Sequence, residues 1–279
     1  MSNRCTSFTI LLLLGMAGAA FTSPSPLAAL EPVTEIIAHR GASHDAPENT
    51  LAAFKLGWEQ QAEGVELDVY LSRDGQILCC HDRSLKRTTG LDKKIEELPA
   101  AELQKLDAGG WKNPKFAGEK LPLLSEVLAV VPRGHKVFVE VKCGPEIVPE
   151  LKRVVAAAKL ESAQLAVISF SLEVCAASKK ALPALKTYWI VGLKREPQTM
   201  AWNRTPAELI AAATKHQLDG LDLQAGDFVD ARLAEQMKKA GLELYVWTVN
   251  DPKLARRMIE AGVQGITTDR PLWLREQLK

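Results

Sequence analysis

The sequence predicts an α/β protein, an eight-stranded parallel (β/α)8 barrel spanning residues 31–279. Three observations lead there. After residue 34, short runs rich in β-branched and aliphatic residues alternate with longer segments of helical periodicity, the pattern of repeated βα units around a parallel sheet. No linker rich in Gly, Ser or Pro interrupts the chain after residue 35, so nothing marks a second domain. The length left is close to the ~250 residues that such barrels commonly fill as one unit.

Nine runs read as strands: EIIAH from Glu35, GVELDVYL from Gly64, QILCCH from Gln76, KVFVEVK from Lys136, LAVISF from Leu165, KTYWIVG from Lys186, GLDLQ from Gly220, LELYVWTV from Leu242 and QGITTD from Gln264. Helices lie between them. One is expected over Asn49 to Gln61, where Leu51, Phe54, Trp58 and Ala62 recur at spacings of three, four and four. A closed barrel of the TIM type takes eight strands, and the second and third runs are joined only by SRDG. Parallel neighbours need a crossover of roughly a dozen residues or more. The pair is therefore expected to form a hairpin with an Asp-Gly turn, the third run doubling back outside the parallel set. The stretch from Asp82 to Leu121 is too long for a simple connector and reads as an insertion after strand two, on the loop face.

The first thirty residues form a separate segment. Arg4 precedes the apolar run FTILLLLGMAGAAF at residues 8–21, followed by small residues and the Pro/Ser stretch TSPSPLAAL. That is the layout of a signal peptide and leader, too short to span a bilayer comfortably. The expected location is secreted or periplasmic, with no stable membrane insertion after cleavage. An uncleaved anchor is the alternative. Arg4 is the only charged residue among the first thirty, so the rest of the chain, from a total of 35 basic and 34 acidic residues, is close to neutral. No basic footprint for nucleic acid remains. With 47% apolar and 25% charged residues, the chain can bury one large core. Cys79, Cys80, Cys143 and Cys175 allow one disulfide in an oxidising compartment; small buried hydrophobes are the alternative.

Active sites of such barrels sit at the C-terminal ends of the strands. Strand one ends in His39 and Arg40. On strand two, Glu66 and Asp68 alternate with Val65, Leu67 and Val69; because the apolar set must face the helices, both acids point inward. KVFVEVK repeats the device, with Glu140 and Lys142 opposite Val137, Val139 and Val141. Burying an uncompensated carboxylate costs several kcal/mol. Three of them converging suit a hard cation with oxygen ligands, Mg²⁺ or Ca²⁺. The alternative is an internal salt-bridge network of Glu66, Asp68 and Glu140 with Arg40 and Lys142. His81 closes the hairpin at the same barrel face as His39, and imidazole can exchange a proton near neutral pH. His44, His135 and His216 lack that placement.

HRG at His39, PENT at Pro47 to Thr50, ELD at Glu66 to Asp68, HD at His81, EVK at Glu140, VWTVND at Val246 and GITTDRP at Gly265 together resemble the glycerophosphodiester phosphodiesterase family, from about residue 36 to 270. Each motif is short; the ordered set is specific. The resemblance implies a metal-dependent phosphodiesterase that releases sn-glycerol 3-phosphate and an alcohol. It implies Glu66, Asp68 and Glu140 as metal ligands, His39 and His81 as the general acid/base pair, and Arg40 and Lys142 as phosphate-binding residues. Glu48 would support Arg40 or the metal shell besides favouring the following helix start, where Asn49 or Thr50 is the cap. Trp247 would form an apolar wall for the glycerol moiety, or belong to the core.

Two other functions are compatible with a barrel of this kind. A phospholipase D-like phosphodiesterase acting on lysophospholipid or sphingolipid head groups would need room for an acyl chain. A non-catalytic barrel-fold binding protein would have lost one of the histidines or acids, and all are present. An amidohydrolase is disfavoured because strand one has no H-x-H pair.

Overall fold

The computed structural model describes residues 1–2 and 34–279. The barrel lies in the unit Pro32–Lys279, and the leader expected at residues 1–30 falls almost wholly outside the described residues. Among the described residues, no helix is long and apolar enough to cross a membrane.

All nine expected strands form: β1 (Glu35–Ala38), β2 (Gly64–Leu71), β3 (Ile77–Cys79), β4 (Lys136–Val141), β5 (Leu165–Ser169), β6 (Lys186–Val191), β7 (Gly220–Gln224), β8 (Glu243–Trp247) and β9 (Gly265–Thr268). Eight of them close a parallel ring, β1-β2-β4-β5-β6-β7-β8-β9 and back to β1. β3 is the one outside it, paired antiparallel to β2. The SRDG turn folds as expected, with Gly75 at φ 76° and the Ser72 amide donating to the Gln76 carbonyl at 2.9 Å.

The alternation in β2 and β4 sorts the two faces. Val65, Leu67, Val69, Val137, Val139 and Val141 are buried with Phe54, Trp58 and Leu151 in the layer between strands and helices. Each such side chain stabilises the fold by roughly 1.5–3 kcal/mol. Inside the ring, Phe138, Tyr188 and Tyr245 pack with ring centroids 5.0–6.1 Å apart. These aromatics come two residues before Glu140, Ile190 and Trp247 on their strands, so they plug the barrel below the cavity that those three residues line.

The helix expected over Asn49–Gln61 is shorter, Leu51–Glu59. Thr50 is its cap, accepting from the Ala53 amide at 3.3 Å. Asn49 and Gln61 both have left-handed backbones, at φ 59° and 64°, which set the helix limits. The insertion after β3 packs a small core of Leu85, Ile95, Leu98, Leu103 and Leu121 against Leu78 of that strand. Among the described residues all four cysteines are free thiols; Cys79, Cys80 and Cys175 are buried as small hydrophobes.

Candidate active site

The register between β2 and β4 puts Asp68 directly beside Glu140. Glu66 lies one inward position earlier on β2. Ligand oxygens of these three buried acids come within 4.8 Å of one another. Glu66 Oε1 and Asp68 Oδ1 are buried with no hydrogen-bond partner among the described residues. Asp68 Oδ1 does sit 3.3 Å from Lys142 Nζ, and its other oxygen 3.3 Å from Arg40 Nε. Lys142 also donates to Glu140 Oε1 at 2.8 Å, and the Arg40 amide donates to Glu66 Oε2 at 2.8 Å. Both readings of the acids therefore have a physical counterpart: an ion-pair network is present, and it leaves carboxylate oxygens unsatisfied at one point.

The charges are unequal. Burial, with Asp68 and Glu140 beside it, drives the Glu66 carboxyl well above its ordinary value. Burial and Asp68 push Glu140 up to about 7. Burial opposes charge on Asp68 too, but Lys142 and Arg40 outweigh it and hold that carboxyl below the usual range. A site that resists full ionisation without a cation, and has oxygens to spare, fits a hard divalent ion.

Asp68 is held from a third direction. β1 pairs with β2 only at Gly64 and Val65, and β3 pairs only from Val69 onward. The gap at Asp68 is filled by the Asn49 side chain, whose Oδ1 accepts from the Asp68 amide at 3.0 Å while Nδ2 donates to Asp68 Oδ2 at 2.8 Å. The turn that delivers Asn49 needs Gly41: a Cβ there would come 2.4 Å from the backbone carbon of Ala53. In the same turn Arg40 is left-handed, at φ 54°, and its carbonyl accepts from the Asn49 amide at 3.1 Å.

The two histidines are fixed in the same way. His39 Nδ1 is 2.6 Å from Asp269 Oδ1. His81 Nδ1 is 2.8 Å from Asp82 Oδ1. A carboxylate accepts, so each Nδ1 carries a proton and Nε2 is left for chemistry; that of His39 is 4.0 Å from Glu66 Oε2. Asp269 also accepts from Ser43 Oγ at 3.1 Å and from Asn250 Nδ2. Burial works against its charge, but these bonds, chiefly the one to His39, lower its pKa to about 2. Burial depresses the pKa of His81.

Glu48 stands one step back. It accepts from Arg40 Nη1 at 3.1 Å and from Arg87 Nη1 and Nη2 at 2.8 and 2.7 Å. Arg87 Nε donates in turn to Asp82 Oδ2 at 2.6 Å. Arg87 belongs to the insertion, which thus ties Arg40 to the carboxylate that holds His81. Glu48 is not among the three clustered carboxylates.

His39, Arg40, Glu66, His81, Glu140 and Lys142 line one cavity of about 130 Å³ together with Asp222, Trp247 and apolar side chains of β5 and β6. Trp247 is only half-buried: its ring meets Phe170 edge-on at 5.3 Å, and its Nε1 donates to the Asp222 carbonyl at 3.1 Å. It forms a cavity wall. Every residue expected at the site is thus assembled on one face, with Glu48 behind Arg40. His44 pairs with Asp45 on the surface at 2.7 Å and stays outside.

Residues 39–272 match the model of the glycerophosphoryl diester phosphodiesterase family. The chain belongs to that family. A glycerophosphodiester phosphodiesterase of Caldanaerobacter subterraneus subsp. tengcongensis is 37% identical over 247 residues, covering 85% of this chain and 95% of that protein. One of Bacillus subtilis is 30% identical over 252 residues, covering 84% and 83%. A phosphodiesterase of Oleispira antarctica, solved in complex with the product sn-glycerol-3-phosphate, superposes with a TM-score of 0.77 at 29% identity, covering 88% of this chain and 96% of that one. As a glycerophosphoryl diester phosphodiesterase, the protein is an enzyme, a phosphoric diester hydrolase, with a buried acidic triad able to bind a metal.

Sequence reasoning passed over four residues. Asp269 closes the quoted GITTD motif at a strand end, and its placement alone could have paired it with His39. Asp222 follows the same in-and-out alternation that exposed Glu66. Asn49, ahead of a helical run, signals only a cap in the sequence. Arg87 carried no signal, because the insertion has no periodicity to orient it.

Proposed function

We propose that the protein hydrolyses glycerophosphodiesters to sn-glycerol 3-phosphate and an alcohol, using one divalent cation, Ca²⁺ or Mg²⁺, held by Glu66, Asp68 and Glu140, and a histidine pair for proton transfer. The observation that carries this reading is the set of two histidines, each locked through Nδ1 by its own carboxylate, in one cavity with three converging buried acids.

Arg40 and Lys142 meet a phosphodiester monoanion with fixed positive charge, where they stabilise the charge that grows on its oxygens during attack. When bound, the cation adds Lewis-acid stabilisation of that same charge. His81, whose pKa burial lowers, is neutral at neutral pH and suits removal of a proton from the attacking hydroxyl. His39, whose ring Asp269 orients with Nε2 left to the cavity, is the second member of the pair, placed to protonate the leaving alkoxide. Either water or the substrate's own glycerol hydroxyl can be the attacker in this frame. Trp247 offers the glycerol carbons an apolar wall. The leader at residues 1–30 supports a secreted or periplasmic location.

The test is release of glycerol 3-phosphate from glycerophosphocholine with Ca²⁺ or Mg²⁺ and with EDTA, for the parent protein and His39→Ala. Cation-dependent turnover that falls at least 10²-fold in His39→Ala supports the reading. A fully active His39→Ala enzyme, or turnover indifferent to EDTA, defeats it. Faster turnover of lysophospholipid vesicles than of the soluble diester would favour a lipid substrate instead.

A further inference from the structure

Asp222 is the one acid of the cavity that none of the roles above uses. It sits on β7, which stands four strands from β2 in either direction around the ring, diametrically across from Glu66 and Asp68. It is 4% exposed, its Oδ1 has no hydrogen-bond partner among the described residues, and it lines the cavity beside Ile190 and Trp247. A buried carboxyl with no partner is costly to keep. Nor is it a member of the clustered acids that would share a cation. A ligand that enters the cavity can supply the partner that this oxygen lacks.

The chemistry of that group is constrained. With the phosphate drawn to Arg40 and Lys142 at the β1–β4 side, a carboxylate on β7 would repel a phosphate oxygen that came near it. A hydroxyl both donates and accepts, so it satisfies the carboxyl in either protonation state. Trp247, with Nε1 anchored on the Asp222 backbone carbonyl at 3.1 Å, presents its ring next to it. An apolar ring beside a lone hydrogen-bonding carboxyl is the pairing that reads the C–H face and the hydroxyl edge of a polyol.

We infer that Asp222 is a specificity-determining residue that binds a hydroxyl of the substrate's glycerol moiety across the cavity from the phosphate. This rests on the glycerophosphodiester reading above and deepens it: the polyol is chosen by a carboxyl on β7, not by the phosphate-binding residues.

The experiment measures binding of sn-glycerol 3-phosphate and of n-propyl phosphate, which lacks both hydroxyls, to the full chain with Ca²⁺ or Mg²⁺ present. The parent protein is expected to prefer glycerol 3-phosphate by roughly tenfold, the worth of one hydrogen bond. Asp222→Leu should abolish that preference, and Asp222→Asn, which still pairs with a hydroxyl, should restore much of it. Thermal melting separates this from a structural role: Asp222→Leu should melt at or above the parent temperature, because it removes an unpartnered buried carboxyl. Equal binding of the two ligands by the parent overturns the inference. So does an undiminished preference in Asp222→Leu, or a lower melting temperature with loss of both ligands. Failure of the underlying reading shows differently, as absence of turnover on every glycerophosphodiester whatever the binding preference.

Discussion

His39 Nδ1 and Asp269 Oδ1 lie 2.6 Å apart although 230 residues separate them in the chain. The contact exists because the barrel closes: β1 and β9 pair in parallel with Ala38 opposite Thr268, so the next residues of both strands emerge side by side. Asp269→Asn keeps the shape but presents an amide that can donate to Nδ1, which favours the wrong tautomer of His39. We expect kcat to fall by about 10²–10⁴-fold, the range for loss of general acid/base catalysis, with KM little changed. Steady-state kinetics beside a thermal melt will check it; a variant within threefold of the parent kcat rules out the orienting role.

The acid cluster predicts how stability responds to pH and cation. Burial and mutual repulsion raise Glu66 and Glu140, the latter to about 7. A carboxyl whose folded pKa is raised contributes stability that is fully present below the unfolded value, near 4.5, and is lost as pH rises through the folded one. Without cation, the melting temperature should therefore fall between about pH 5 and 7.5. A bound divalent ion favours the ionised form and should remove that fall. At a hundredfold excess over Kd the ion adds about 2.7 kcal/mol, several degrees for a chain of this size. Scanning fluorimetry in EDTA and in Ca²⁺ or Mg²⁺ across this range measures both effects; superimposable curves would mean that no ion binds there.

Asn49 carries a third prediction. Its left-handed backbone and its two bonds to Asp68 make it a strut for the site. Asn49→Ala leaves the buried Asp68 amide without a partner, at about 1–3 kcal/mol, and adds about 1–2 kcal/mol for an alanine held left-handed. Together these predict a loss of roughly 2–5 kcal/mol in chemical denaturation. Asn49→Gly relieves the backbone cost alone and should recover about 1 kcal/mol. If the two variants are equally stable, the backbone argument is wrong.

Particular residues show what was legible in the sequence. The nine strands, the β3 hairpin and the inward set Glu66, Asp68 and Glu140 follow from local alternation and from the impossibility of a parallel crossover through SRDG. These are properties of short windows. The partnerships that make a site of them, His39 with Asp269, Asn49 with Asp68 and Glu48 with Arg87, are set by ring closure and by how an irregular insertion docks. Neither leaves a periodic trace. Asp222 is the intermediate case: its alternation in GLDLQ was readable, but without a basic or acidic neighbour on the strand nothing pointed to chemistry.

The insertion supplies the last prediction. Arg87 grips Glu48 with two nitrogens at 2.7 and 2.8 Å and Asp82 with a third at 2.6 Å. Glu48 holds Arg40, and Asp82 holds His81. One exposed arginine thus braces the cavity-lining Arg40 and a histidine at once. Because Arg87 is more than a third exposed, its removal should cost little stability, within about 1 kcal/mol as for other surface ion pairs. The kinetic cost should be larger, since Arg40 and His81 both lose their fixed orientation and small misplacements of reacting groups are expensive. We expect Arg87→Ala to raise KM and lower kcat by about 3–10-fold each, while Glu48→Gln, which leaves Arg87 on Asp82, should affect mainly KM. Comparing the two variants on glycerophosphocholine separates the arms; an Arg87→Ala enzyme with parental kcat would show that Asp82 alone holds His81 in place.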